Sequence, residues 1–434
     1  MYRREFLRVA AGAPLLVALL PTVADAGGAG DEPYGPLLDP DDNGLMLPEG
    51  FRSRVIARAN EPVAGTAHVW HVSPDGGATF ATEDGGWIYV SNSEVDGGAG
   101  GVGAIRFSAA GEVVDAYSIC TGTSRNCAGG VTPWNTWLSC EEIAEGRVWE
   151  CDPRGELDAV ARPAMGVFWH EAVAADPVGR ALYETADSSD GRFYRFTPTT
   201  WGDLSDGVLE AARTADDGSV TWVAADAPDA TVYAGGEGIS FHDGVVVFTT
   251  KSDQRIRAYD TRTGTMRVLH EPGMPGVPEI NGPDNAVFTA AGDLYVCEDT
   301  ERSQELVLLG ADGTRSVVLR CSDAHAGSEL TGAAFDPSGS RLYISSQRMG
   351  GGGVTYEVTG PFRDSISAST GSPAIASTTS VFAAAGRPDD TGGARGGDDD
   401  FPFALVGGRV GGLAAIAAAG GLAWLRHRRR TEGV

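Results

Sequence analysis

With 434 residues and a formal charge of −26, the chain can bury one large all-β core or two smaller ones. Lys251 is the single lysine among 33 basic residues. No basic patch is available to meet a phosphate backbone, so nucleic acid is not expected as a partner. The 61 glycines suit many short strands joined by tight turns.

In chain order, residues 1–26 read as a twin-arginine signal peptide. Arg3-Arg4-Glu5-Phe6-Leu7 precedes an apolar run from Val9 to Leu20, weakened by Gly12 and Pro14 and followed by Ala24-Asp25-Ala26. Export would place the protein outside the cytoplasm. From about residue 45 to 362 a strand-like unit recurs six times, seen in Trp87–Asn92, Thr136–Glu141, Ala181–Thr185, Val245–Thr250, Leu294–Asp299 and Leu342–Gln347. Anchored on Val90, Trp137, Tyr183, Phe248, Tyr295 and Tyr343, the intervals are 47, 46, 65, 47 and 48 residues. Strand-type repeats at this spacing predict an all-β, six-bladed propeller over 45–362, with Thr200 to Ala230 as an insertion that explains the long interval. The Gly-rich runs Gly97–Gly103 and Gly350–Gly353 read as loops. Residues 363–402, rich in Ser, Thr, Ala, Gly and Asp, are expected to be a disordered linker. Residues 403–425 are apolar apart from Arg409 and read as a transmembrane anchor. The basic residues that follow mark 426–434 as a cytoplasmic tail. The expectation is thus a monomeric propeller, exported and tethered to the membrane through its C-terminal helix.

A second series lies upstream of the anchors. Cys127 precedes Trp137 by 10 residues, Glu171 precedes Tyr183 by 12, Glu237 and Asp284 precede Phe248 and Tyr295 by 11, and Glu329 precedes Tyr343 by 14. Taken singly, such an acid is ordinarily a solvated turn residue. Equivalent positions in successive blades surround one axis, however, and a ring of acids there would repel itself. A multivalent cation removes that conflict, so the series predicts a metal site at the channel mouth. Cys120, Cys127, Cys140, Cys151, Cys297 and Cys321 would lie in an oxidising compartment, where disulfides are the default. Cys127 falls among the acids and is equally a candidate ligand. Trp87, Trp134, Trp137 and Trp169 read as packing anchors. His170 is either a general acid or a support for its neighbour Glu171.

The run Asn126-Cys127-Ala128-Gly129-Gly130-Val131-Thr132-Pro133-Trp134-Asn135-Thr136-Trp137-Leu138-Ser139-Cys140-Glu141-Glu142 resembles the CAGG-x-TPWGTWLTCEE signature of the PhoX-type alkaline phosphatase family. The resemblance continues through Leu47–Phe51, Tyr89–Glu94, His170–Ala172, Gly236–Ile239, Phe248–Lys251, Asn281–Asn285 and Cys297–Asp299. It implies a propeller phosphomonoesterase acting on small phosphorylated substrates, with an iron pair, several calcium ions and one iron on a cysteine thiolate. A lone thiolate among carboxylates is consistent with a transition metal beside calcium. Glu94, Glu141 and Glu142 would then be further ligands, joining Cys127, Glu171, Glu237, Asp284 and Glu329. Asn92 would hydrogen-bond a phosphate oxygen.

Two departures bear on the activity. Gly235 stands where the resemblance leads one to expect an arginine, and Lys251 is the candidate replacement cation. Ala186 stands where an acid is expected. Two rivals follow: a calcium-dependent lactonase or esterase, and a non-catalytic, metal-bound surface binding module.

Overall fold

The computed structural model describes residues 33–274, 279–300 and 304–363. Six antiparallel sheets follow one another around an axis. Blade 1 comprises Pro74–Ala81, Trp87–Ser93, Gly100–Phe107 and Val113–Thr123; blade 2 comprises Asn126–Val131, Trp137–Glu141, Val148–Cys151 and Val160–Ala161. Blade 3 has five strands, His170–Asp176, Ala181–Ala186, Tyr194–Thr200, Asp203–Thr214 and Val220–Ala224. Its long fourth strand and added fifth account for the wide sequence interval. Blade 4 is Gly236–His242, Val245–Thr250, Arg255–Asp260 and Thr265–His270. Blade 5 is Pro283–Phe288, Leu294–Glu298, Glu305–Leu309 and Arg315–Cys321, edged by Leu45–Met46. Blade 6 is Leu330–Phe335, Arg341–Ser346 and Val354–Thr359, completed by Arg52–Arg58 from the beginning of the chain.

The six anchor segments are the second strands of the blades, and all but Arg341 among their residues are buried. A strand covered on both faces has no solvent side, which is why it reads as a continuous apolar run. The core accordingly divides into six clusters, one between each pair of neighbouring blades. Trp87, Tyr89, Phe107 and Tyr343 join blades 1 and 6, for example, while Tyr183, Phe193, Phe248 and Tyr259 join blades 3 and 4. Blade 6 is closed by Glu357, only 1% exposed. It accepts from Arg54 Nε at 2.7 Å, Arg341 Nη1 at 2.9 Å and the Tyr343 hydroxyl at 3.0 Å. Arg54 lies on the strand from the chain's beginning, so this contact fastens the ring.

Three expectations require correction. No helix among the described residues is long and apolar enough to cross a membrane. Residues 403–425, together with the signal peptide, linker and tail, lie outside the described residues. The transmembrane helix, the membrane partner and the membrane-anchored location are therefore withdrawn. All six cysteines are free thiols, so the expected disulfides are not formed. Finally, Gly100–Gly103 belong to a strand rather than a loop. Glycine is required there by crowding, since a Cβ on Gly101 would sit 2.4 Å from the Cys120 carbonyl oxygen.

Candidate metal centre

The first strand of each blade lines the axis, and in every blade its pairing with the second strand slips. The irregularity lies between Pro74 and Gly77, Asn126 and Gly129, His170 and Val173, Gly236 and Ile239, Pro283 and Ala286, and Thr331 and Ala334. Extra residues at a bulge re-aim a side chain out of the pleat. The leading bulge residue in the first five blades is Asp75, Cys127, Glu171, Glu237 or Asp284. The next residue is Gly76, Ala128, Ala172, Gly238 or Asn285, small in four of the five because neighbouring inner strands nearly touch. A Cβ on Gly76 would lie 2.5 Å from the Ala128 Cα, and one on Gly238 would lie 2.5 Å from the Ala286 nitrogen. These residues and Gly332 border a central cavity of about 310 Å³.

Two further sets of equivalent positions surround the bulges. The residue immediately after each second strand is Glu94, Glu142, Asp187, Lys251, Asp299 or Gln347. In five blades its backbone N–H donates to the carbonyl of a residue at the entrance to the first strand, namely Ser73, Arg125, Gly235, Gly282 or Glu329. The first four of these have positive φ, from 47° to 63°. The bond places Glu329 at the position of Arg125 and Gly235, two residues before the bulge series to which its sequence spacing assigned it. Thr331 is the blade 6 counterpart of the bulge acids, and its hydroxyl donates to the Pro74 carbonyl at 2.9 Å.

Together these sets build a continuous acidic ring. Four triads place their ligand atoms within 4.8 Å of one another: Cys127/Glu142/Glu171, Glu171/Glu237/Asp284, Asp284/Asp299/Glu329 and Asp75/Glu94/Glu329. Successive triads share Glu171, Asp284 and Glu329. The circle closes where Cys127 Sγ lies 3.6 Å from Asp75 Oδ2. Among the described residues, eight carboxylates face three cations. Lys251 Nζ reaches Glu237, Asp284 and Asp299 at 3.1, 3.3 and 3.1 Å. Arg125 Nη2 reaches Glu94 and Glu142 at 2.9 and 2.8 Å, and Arg348 Nη1 reaches Glu329 at 2.6 Å.

The electrostatics follow from this imbalance. Burial first, and repulsion from the other acids second, push Asp75 and Glu171 well above the usual carboxylate range. Burial raises Glu142 to about 9 despite Arg125, and raises Glu329 to about 8 with help from Asp299. Burial followed by the nearby Asp75 charge drives the Cys127 thiol up. Glu171 makes the case for a cation most directly: it is 0% exposed, and neither carboxylate oxygen has a hydrogen-bond partner. A buried carboxylate in that state costs several kcal/mol unless it protonates or meets a cation. The donor set therefore fits metal ions, with three triads of oxygen donors alone and one that adds a thiol.

Of the residues named from sequence, Cys127, Glu171, Glu237, Asp284, Glu94, Glu142 and Glu329 come together here, with Lys251 against them. Glu141 does not. Its oxygens accept from the Ser124 N–H at 2.9 Å and from Trp149 Nε1 at 2.9 Å, because consecutive strand residues face opposite ways. Asn92 is also committed elsewhere. Its amide donates to the Cys127 and Ala128 carbonyls at 3.1 and 2.8 Å, and its oxygen accepts from Trp137 Nε1 and Ser139 Oγ, both at 2.9 Å. No group on it remains for a substrate. His170 is buried with Glu184, Nδ1 to Oε2 3.1 Å, beneath the Phe168 ring. Sequence reasoning missed Asp75, Asp299, Arg125 and Arg348, as well as Gln347, which donates to Asp75 at 2.5 Å and Glu94 at 3.0 Å.

The fold and ring define a six-bladed propeller with candidate metal-binding clusters at its axis. The family model for alkaline phosphatase PhoX matches residues 84–150, 145–268 and 263–350, and the chain belongs to that family. No curated protein sequence matches it. Among solved structures, Pseudomonas fluorescens PhoX in complex with vanadate, a transition state analogue, is similar with TM-score 0.62 and 16% identity, over 76% of this chain and 97% of that one. A gluconolactonase from Xanthomonas campestris aligns with TM-score 0.47 and 13% identity, over 76% of this chain and 98% of that one.

Proposed function

We propose that the chain is a metal-dependent phosphomonoesterase whose reaction centre is the acidic ring. The carrying observation is the wholly buried, unpartnered Glu171 carboxylate shared by two triads; family membership supplies the reaction class. Cys127, Glu142 and Glu171 would hold iron through mixed sulfur and oxygen donors, and the oxygen-only triads would hold calcium. When bound, these cations neutralise a phosphate ester and polarise its oxygens. The chain's own residues set the geometry. The bulges fix the direction of five ligands from rigid strands, and Asn92 clamps the backbone that carries Cys127. Cys127 must release its proton on metal binding, so its raised pKa makes uptake more favourable at higher pH. Lys251 bridges three carboxylates and offsets part of their mutual repulsion. The vanadate complex of the Pseudomonas protein supports phosphoryl transfer as the reaction to test first.

The test couples metal analysis of purified protein to hydrolysis of a chromogenic phosphate monoester. Iron with calcium is expected, Cys127→Ser should lose iron, and Glu237→Ala should lower turnover at least about 100-fold. Calcium without iron, with turnover of a lactone instead, would favour the lactonase. Bound metal without turnover of either ester would favour the binding module.

A further inference from the structure

We propose that Arg125 and Arg348 form a two-armed clamp for the phosphate group of the substrate, built around Glu94 at the solvent side of the ring. This rests on the phosphomonoesterase reading above. Both guanidinium groups converge on that one carboxylate. Arg125 donates through Nε and Nη2 to Glu94 Oε1 at 3.2 and 2.9 Å, and Arg348 Nη2 lies 3.7 Å from Glu94 Oε2. Their side chains are 25% and 44% exposed, against 11%, 9% and 9% for Glu94, Glu142 and Glu329. The cations thus lie between solvent and the buried acids.

Neither guanidinium is used up by these contacts. Arg125 Nη1 takes no part in them, and the Arg348 Nη2 contact is too long for a hydrogen bond. A guanidinium presents five donors in a fixed fork that matches phosphate oxygens. Lys251 is less suited, since its ammonium already faces three carboxylates.

The backbone adds a second argument. Arg125 has φ 47°, in the left-handed region where a non-glycine residue is disfavoured. The equivalent positions in blades 4 and 5 are Gly235 and Gly282, with φ 63° and 54°. A Cβ at position 235 would lie 2.8 Å from Ser252 Oγ, so a side chain there would require that hydroxyl to turn away. Positions 73 and 125 hold the same conformation with side chains, at φ 49° and 47°, and of these two only Arg125 brings a cation to the ring.

The test uses the metal-loaded full chain and inorganic phosphate, measured both as a competitive inhibitor of ester hydrolysis and by direct calorimetric binding. Arg125→Gln and Arg348→Gln should each weaken phosphate binding by about 10- to 100-fold and leave metal content unchanged. Arg125→Lys should recover only part of the loss, because a point charge lacks the fork. Arg213→Gln removes the same charge from an exposed pair with Asp229 and should change neither quantity. Phosphate binding that is strong in the unmodified protein and unchanged in both variants would overturn the clamp while leaving the phosphatase reading intact. Loss of metal in step with loss of affinity would also overturn it, since the arginines would then serve only the carboxylates. An unmodified protein that binds no phosphate would sink the clamp and the phosphatase reading together.

Discussion

Replacing Glu171 with Gln isolates the burden of a buried carboxylate that has no protein partner. In metal-free protein its pKa is raised by burial, and further by Glu237 and Asp284. Such an acid holds its proton more tightly when folded, so its contribution to stability is present at low pH. That contribution is lost as the pH climbs above the unfolded value of about 4.5. Protonation caps the penalty. Keeping a carboxyl of that intrinsic strength protonated at pH 8 costs at most about 5 kcal/mol, at roughly 1.4 kcal/mol per pH unit. The replacing amide shares the lack of hydrogen bonds but never ionises. Chelator-treated Glu171→Gln should therefore be more stable than the unmodified protein by up to about 5 kcal/mol at pH 8, and equal to it near pH 4.5. At about 2 °C per kcal/mol for a large domain, the gain in Tm is at most about 10 °C. Calcium and iron should reverse the order, because only the carboxylate completes two triads, and the variant should bind fewer ions per chain. Thermal melts at pH 5 and pH 8, with and without metals, check the four cases. A variant that melts below the unmodified protein at pH 8 without metal, or by the same offset at both pH values, would refute the reasoning.

Other substitutions probe the scaffold. Glu357→Ala takes the shared acceptor from two partly exposed guanidinium groups and a buried phenol, and should destabilise by about 2–3 kcal/mol in urea unfolding; a loss below about 1 kcal/mol would mean that the blade 6 contact does not fasten the ring. Gly332→Ala forces a side chain into a backbone with φ 68° and toward the Asp75 carbonyl oxygen 2.4 Å away. It should cost at least about 1–3 kcal/mol and lower the metal content at the neighbouring Asp75 triad. Asn92→Asp keeps the size but turns an amide facing two carbonyls into an acceptor, so about 3 kcal/mol of stability should be lost along with iron. Unchanged stability with a raised KM would instead return Asn92 to the role of substrate ligand.

The second strands were legible because burial on both faces suppresses alternation and repeats aromatic anchors at nearly constant spacing. Outer strands were less so: Gly100–Phe107 carries glycines demanded by crowding, and these imitate a loop. Within the site, distances to the anchors found Cys127, Glu171, Glu237 and Asp284 because their hairpins are similar in length. Asp75 escaped because it precedes Val90 by 15 residues, although Asp75-Gly76 repeats the pairing of a ligand with a small residue seen in Glu237-Gly238. The acidic pairs were ambiguous for a different reason. Glu141-Glu142 and Glu298-Asp299 each end a second strand, and neighbouring strand residues face opposite ways. Only one acid of each pair can join the ring. The structure turns Glu141 toward Trp149 and Glu298 toward the Asn281 N–H at 2.8 Å, leaving Glu142 and Asp299 in the triads. Strand parity thus chooses the ligand where composition alone counts two.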